Sequence, residues 1–153
     1  MPPGATRQIP VNEAVPETFG GYDYADAFTV TKRPGDTRDA SQWTRAALDD
    51  APPVVRSLIR LVWRRIVGFR LGPRPSPDHV LGWRIVDSTP EAIELRTESW
   101  QASGDIVVRV REDEVRFTTF LRFERGFPIR IMWPALARVH RFFVPRLLHW
   151  ARS

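Results

Sequence analysis

The feature that most constrains the fold is a series of four short segments in which apolar and polar residues alternate. The segments span 80–87, 92–99, 106–111 and 114–124. Alternation with a period of two is typical of strands that bury one face. The connectors between the segments are of hairpin length and are too short for the helix that a parallel crossover needs. The pattern therefore predicts an antiparallel meander.

Two short helices are predicted before the meander, after a first strand over 22–32. Asp39 is expected to begin the first helix, because Gln42 three residues later completes a capping-box pattern. The second helix is predicted over 53–67, where apolar residues recur at helical spacing and Gly68 is placed to end it.

From Gly126 to the end of the chain the apolar residues change to helical spacing. This stripe consists of Trp133, Leu136, His140, Phe143, Leu147 and Trp150. Pro134 and Pro145 each remove a backbone donor, so we expect them to bend this helix over the sheet. The element order predicts an α+β fold: an antiparallel sheet of about five strands or slightly more, two short helices after strand one, and a long C-terminal helix across the sheet.

Length and composition set the limits of this fold. The 153 residues suit one domain. Residues 1–20 contain prolines and polar residues, so we expect a flexible tail before a single domain over 21–153. Cysteine is absent, which excludes disulfides and thiolate metal sites and favours the cytoplasm. Arginines interrupt every apolar run, so no transmembrane segment is expected.

Several short segments resemble one branch of the START-like (SRPBCC) superfamily, the bacterial domain of unknown function family numbered 2867. The segments are 24–28 (YADAF), 67–72 (VGFRLG), 117–119 (FTT), 133–134 (WP), 140–141 (HR) and 144–148 (VPRLL). The resemblance implies the helix-grip fold, in which a curved sheet grips the C-terminal helix. In relatives the cavity between sheet and helix holds lipids, polyketides, hormones or hydrophobic cofactors. The family has no assigned activity, so no catalytic residue is transferred.

A cavity between the sheet and the last helix would be lined by residues that the two elements turn toward each other. The expected lining residues are Trp83, Phe117, Thr119, Leu121, Trp133, Leu136, His140 and Phe143. The tryptophans also suit an ordinary core, and that alternative stays open for each of them. We therefore expect non-catalytic binding of an apolar small molecule or lipid, with no cofactor and no metal.

His140 is the one titratable residue on the apolar stripe of the last helix. Pointing into a cavity, it would suit a general acid or base, or a hydrogen-bond anchor for a ligand. The alternative is a core histidine bonded to a backbone carbonyl or to Thr119. His140 is thus the candidate catalytic residue of the alternative function, a cyclase-, dehydratase- or hydrolase-like enzyme. His79 and His149 are expected at the surface.

Arginine supplies nearly all of the positive charge, and two segments, 54–70 and 125–153, contain arginines but no acidic residue. The candidates for a basic surface are Arg56, Arg60, Arg64, Arg138 and Arg141. Such a surface would fit an anionic membrane, which is a third candidate function. Solvated helix faces explain the same spacing. Sequence-specific nucleic-acid binding is not expected, because no matching motif accompanies the charge.

Overall fold

The structure is a computed structural model that describes residues 6–73, 76–124 and 129–152. Its strands are β1 (Thr6–Ile9), β2 (Tyr24–Thr31), β3 (His79–Val80), β4 (Trp83–Ser88), β5 (Ala92–Glu98), β6 (Ala102–Val110) and β7 (Glu114–Phe123). Its helices are α1 (Ala40–Leu48), α2 (Pro53–Leu61) and α3 (Ile129–Arg152). The predicted start of the last helix at Gly126 lies outside the described residues.

Within the described residues the strands form one antiparallel sheet in the order β1-β2-β7-β6-β5-β4-β3. Strands β4 to β7 form the predicted meander, and β2 returns to pair with β7 along its whole length. Alternation gives the sheet an inner face that the helices cover and an outer face. Phe117 of β7 lies on the inner face beside its partners Phe28 and Val108, all three buried. Full burial of a side chain of this size contributes about 1.5–3 kcal/mol.

The helix-boundary signals in the sequence act as predicted. The Asp39 carboxylate accepts from the backbone N–H of Gln42, and the Gln42 side chain accepts from the backbone N–H of Asp39, which completes the capping box of α1. Helix α2 continues as a π-helical turn over Val62–Val67, and Gly68 ends it in the left-handed region at φ 84°. Only glycine adopts that conformation at little cost.

Helix α3 runs through Pro134 and Pro145 without a break in the helical assignment and packs on the inner face of the sheet. Its buried residues Val144, Leu147 and Leu148 join the core of β2, β7 and α1. This arrangement of one long helix across an antiparallel sheet is the helix-grip fold. The predicted fold class is therefore confirmed.

The N-terminal residues differ from the expected tail. Thr6–Ile9 form the edge strand β1, which pairs with β2. After it, Val11, Val15 and Phe19 recur at intervals of four and pack on the outer face of the sheet against Val107 and Phe120. The chain folds back over the outer face of the sheet because the apolar residues of this segment are buried against an apolar patch there. Residues 6–9 are thus part of the sheet, and the division of the chain into a tail and a single domain stays a prediction.

Candidate ligand-binding cavity

A cavity of about 370 Å³ lies between the inner face of the sheet and the helices α2 and α3. Its volume is within the range of about 300–1,000 Å³ that is usual for small-molecule sites. The sheet, α1 and Phe69 contribute Leu48, Phe69, Trp83, Ile106, Phe117, Thr119 and Leu121 to the wall. The helical segments over 53–67 and α3 contribute Leu58, Ile59, Val62, Trp63, Val67, Trp133, Leu136, Val139, His140, Phe143, Val144 and Leu147.

All eight residues that the sequence selected for a cavity lie in this wall. On β7, the period of two turns Phe117, Thr119 and Leu121 toward α3. On α3, the stripe that begins at Trp133 and includes His140 faces the sheet, because these residues recur three or four positions apart. That these residues contact a ligand stays a prediction. Sequence reasoning missed the contribution of 58–69, since nothing in the sequence indicates how closely that helix approaches α3.

One end of the cavity is walled by three aromatic rings in edge-to-face contact. The Trp83 ring lies with its centroid 5.3 Å from that of Trp63 and 5.5 Å from that of Phe69. Gly104 on β6 leaves the room for Trp83, because a Cβ at that position would lie 2.8 Å from Cη2 of the indole. Any larger residue at position 104 would therefore displace the indole.

The cavity reaches solvent between the helices. Leu58 on α2 is 43% exposed and Val139 on α3 is 42% exposed, although both line the cavity. These apolar side chains on opposite sides of the gap mark a mouth through which an apolar molecule could enter. Further exposed apolar residues continue outward on both helices, at Leu61 and Phe142.

His140 is part of a hydrogen-bonded cluster on the cavity wall. Its Nε2 lies 3.1 Å from Oδ2 and 3.2 Å from Oδ1 of Asp26, and the Tyr24 hydroxyl donates to the same carboxylate at 2.5 Å. Asp26 is only 3% exposed. Burial, reinforced by the neighbouring Asp26 charge, raises the pKa of Tyr24 well above its ordinary value, so the phenol stays protonated. His140 therefore bonds a carboxylate rather than Thr119 or a backbone carbonyl.

Asp26 is the residue of this cluster that sequence reasoning missed. On β2 it shares the inner face with Tyr24, Phe28 and Val30, so it interrupts an otherwise apolar alternation. A carboxylate at a buried strand position needs a partner, because burial of an unpaired charge costs several kcal/mol. That interruption was the available signal, but the identity of its partner, 114 residues away, is fixed only by the fold.

Three polar atoms of the wall residues are buried without a hydrogen-bond partner among the described residues. They are the hydroxyl oxygen of Thr119 and the indole nitrogens of Trp83 and Trp133. Such groups weaken a structure unless they find a partner. Their presence in one wall distinguishes this cavity from a purely hydrocarbon void.

The five predicted basic residues lie on the two helical segments that flank the mouth. Arg64 and Arg138 are exposed, and Arg141 is exposed with Nη1 3.5 Å from the Tyr24 hydroxyl. Arg56 is different, since its guanidinium donates to the backbone carbonyl of Asp49 at 2.5 Å. Arg60 is half-buried. The structure thus brings these residues to one side of the molecule, with Arg56 partly used in holding the end of α1.

Two groups of ionisable residues that the structure describes lie outside the wall of this cavity. On the outer face, Arg96 bridges Glu94 at 2.6 Å and Asp105 at 2.9 Å. His79 and His149 are half-buried, whereas the sequence placed both at the surface; His79, for instance, packs against Gly72.

Within the described ranges no group of His, Asp or Glu side chains is arranged to hold a metal ion. No helix in those ranges has the length and apolar character needed to cross a membrane.

Comparison with known proteins adds little to this geometry. No protein-family model matches the sequence, and no curated protein matches it. Among solved structures, the crystal structure of Ara h 8.0201 is similar, with a TM-score of 0.42 and 6% sequence identity over 84% of this chain and 97% of that chain. At this level the likeness assigns neither ligand nor activity, and the helix-grip assignment rests on the element order and the sheet topology.

Proposed function

We propose that the protein is a cytoplasmic member of the START-like superfamily, in the bacterial family 2867 that it resembles, and that it binds an apolar small molecule or lipid between the sheet and α3. The observation that carries this proposal is the cavity itself: about 370 Å³, walled mainly by apolar side chains, with a mouth between Leu58 and Val139. A core that served stability alone would close such a space, because an empty apolar cavity costs stability in proportion to its volume.

The test is to fill the cavity. Leu136→Trp adds an indole to the wall, so we expect the affinity for a neutral fluorescent probe, N-phenyl-1-naphthylamine, to fall at least about tenfold because its space is taken. Ala135→Trp is the matched control, since Ala135 is exposed on the same helix turn. Equal probe affinity in the wild-type protein and in Leu136→Trp would contradict a ligand site at this cavity.

The proposed site is non-catalytic. A carrier returns its ligand unchanged, so mass spectrometry of the molecules extracted from purified protein, before and after incubation with the same compounds, should recover identical masses. The same screen identifies the natural ligand class. New masses that depend on active protein would replace the carrier proposal with an enzyme.

A cyclase-, dehydratase- or hydrolase-like activity is the second candidate, and the Asp26–His140 pair favours it. A carboxylate that holds an imidazole in one tautomer and orientation is a common support for a general base. If His140 transfers a proton, products should disappear in His140→Ala while probe binding is retained. Loss of both would indicate a damaged cavity instead of a missing base.

Association with an anionic membrane is the third candidate. Exposed apolar residues and exposed arginines occur together on the helices that flank the mouth, with Leu61 and Arg64 on one side and Arg138 and Phe142 on the other. This combination suits anionic headgroups over an apolar interior. A protein bound there would present its cavity mouth to the lipid.

A further inference from the structure

The hydrogen bonds around Asp26 determine which nitrogen of His140 carries the proton. The Asp26 carboxylate accepts a hydrogen bond from the Tyr24 hydroxyl at 2.5 Å, and its two oxygens lie 3.1 and 3.2 Å from His140 Nε2. An ionised carboxylate only accepts hydrogen bonds, so Nε2 must donate to it. In the neutral imidazole the lone pair then belongs to Nδ1.

Nδ1 has no hydrogen bond to any described residue, although the His140 side chain is only 19% exposed and lies in the cavity wall. The rest of the wall is apolar apart from the Thr119 hydroxyl and the three indole N–H groups of Trp63, Trp83 and Trp133. The charged groups near the ring are Asp26 on β2 and, beyond the Tyr24 hydroxyl, Arg141 on α3. Thr119 and Trp133 carry buried donors in the same wall, and neither donor makes a hydrogen bond to Nδ1.

We propose that His140 Nδ1 is the polar anchor of the cavity and selects amphipathic ligands that carry a hydroxyl group, such as alkylphenols or long-chain alcohols. This inference rests on the proposed ligand-binding function. A hydroxyl donates to the Nδ1 lone pair without any change of protonation. A hydrocarbon leaves Nδ1 without a partner, and a carbonyl places a second acceptor against it. Asp26 acts as a positioning residue that sets the tautomer.

The experiment compares three ligands of one shape: 4-octylphenol, octylbenzene and 4-octylbenzaldehyde. Binding is measured by the intrinsic fluorescence of the tryptophans in the wall. For each protein we compare the dissociation constants of two ligands as a ratio. A change in the cavity that weakens both ligands equally leaves this ratio unchanged. We expect the preference for the phenol over octylbenzene to be about tenfold greater in the wild-type protein than in His140→Phe.

Asp26→Asn tests the tautomer without removal of the imidazole. The Tyr24 hydroxyl will keep the amide oxygen as its acceptor, so the amide nitrogen will donate to Nε2 and Nδ1 will carry the proton. The preference should then shift from the phenol toward the aldehyde. Asp105→Asn is the matched control, because it replaces a buried carboxyl group with an amide on the outer face of the sheet, away from the cavity. The ligand preference of this variant should equal that of the wild-type protein.

The outcomes separate this inference from the proposed function. If all three ligands bind but the preference is unchanged in both His140→Phe and Asp26→Asn, the cavity binds ligands and the role of Nδ1 is overturned. If no ligand binds the wild-type protein, the proposed function fails, and the inference fails with it. A lost preference in His140→Phe together with a reversed preference in Asp26→Asn supports the proposal.

Discussion

A buried carboxylate lies at the centre of a polar cluster on each face of the sheet. Asp26 serves the inner face, where it is paired with Tyr24 and His140. Asp105 serves the outer face, fully buried beside Arg96 and Glu94. Burial raises the pKa of Asp105 above its ordinary range, and the Glu94 charge adds to the rise while Arg96 opposes it. The outer cluster therefore makes folding sensitive to pH.

The sign of this dependence follows from proton counting. Between the ordinary carboxyl pKa and the raised one, the folded protein binds more protons at Asp105 than the unfolded chain does, so the free energy of unfolding should fall as pH rises through this window. Asp105→Asn should flatten the profile, with its stability relative to the wild-type protein increasing from pH 5 to pH 8. Urea denaturation at both pH values measures the change. A wild-type stability that rises across this interval more than that of the variant would contradict the assignment.

Secondary-structure elements could be predicted from the sequence where neighbouring residues determine their ends and their hydrophobic periodicity. The capping box at Asp39, the stop at Gly68 and the alternation of β7 each depend on neighbouring residues alone. The packing of the N-terminal segment could not be predicted, because Val11, Val15 and Phe19 stand among prolines and polar residues and their packing site on the sheet is distant in sequence. The cavity wall on β7 and α3 could be predicted, because local periodicity decides which residues of each element share a face. The contact of Asp26 with His140 could not, because the two residues are distant in sequence.

The packing of this N-terminal segment predicts a measurable stability. Phe19 fills the outer-face cluster with Val107 and Phe120, and the guanidinium of Arg122 lies 4.5 Å from its ring centroid. Phe19→Ala should lower the free energy of unfolding by about 3 kcal/mol, through lost burial and the cavity left behind. Glu17→Ala, at an exposed neighbour, is the control. Unchanged urea midpoints for both variants would show that the segment does not hold to the sheet in solution.

At the scale of the whole molecule, the outer side of the sheet and the helical side differ in charge and in exposed apolar surface. The sheet's outer face is covered by the N-terminal segment and its ion pairs, such as that of Arg109 with Glu13. The opposite side presents the cavity mouth, exposed apolar residues and the arginines of α2 and α3. Because α2 and α3 contain arginines but no acidic residue, we propose that this side is the one that faces an anionic membrane.

Liposome flotation tests this orientation. Each arginine near an anionic surface contributes about 1 kcal/mol at low salt, so Arg64→Glu with Arg138→Glu should remove most of the protein recovered with anionic vesicles. Arg7→Glu with Arg111→Glu changes the net charge equally at exposed positions of the sheet and its connectors, and should retain recovery. Equal recovery of the wild-type protein by neutral and anionic vesicles, or equal losses in both double variants, would exclude a docking side.

The π-helical turn over Val62–Val67 has a consequence for how this chain tolerates insertion and deletion. The Gly68 N–H reaches back five residues to the Trp63 carbonyl instead of four, and the amide of Gln101 caps the carbonyls of Ile66 and Val67. Removal of one residue from this turn would restore ordinary helical winding and rotate α2 by about 100° relative to Gly68. Leu58 would then leave the mouth of the cavity. Deletion of one residue from this turn would thus alter ligand access. Substitutions at the same positions would leave the orientation of α2 unchanged.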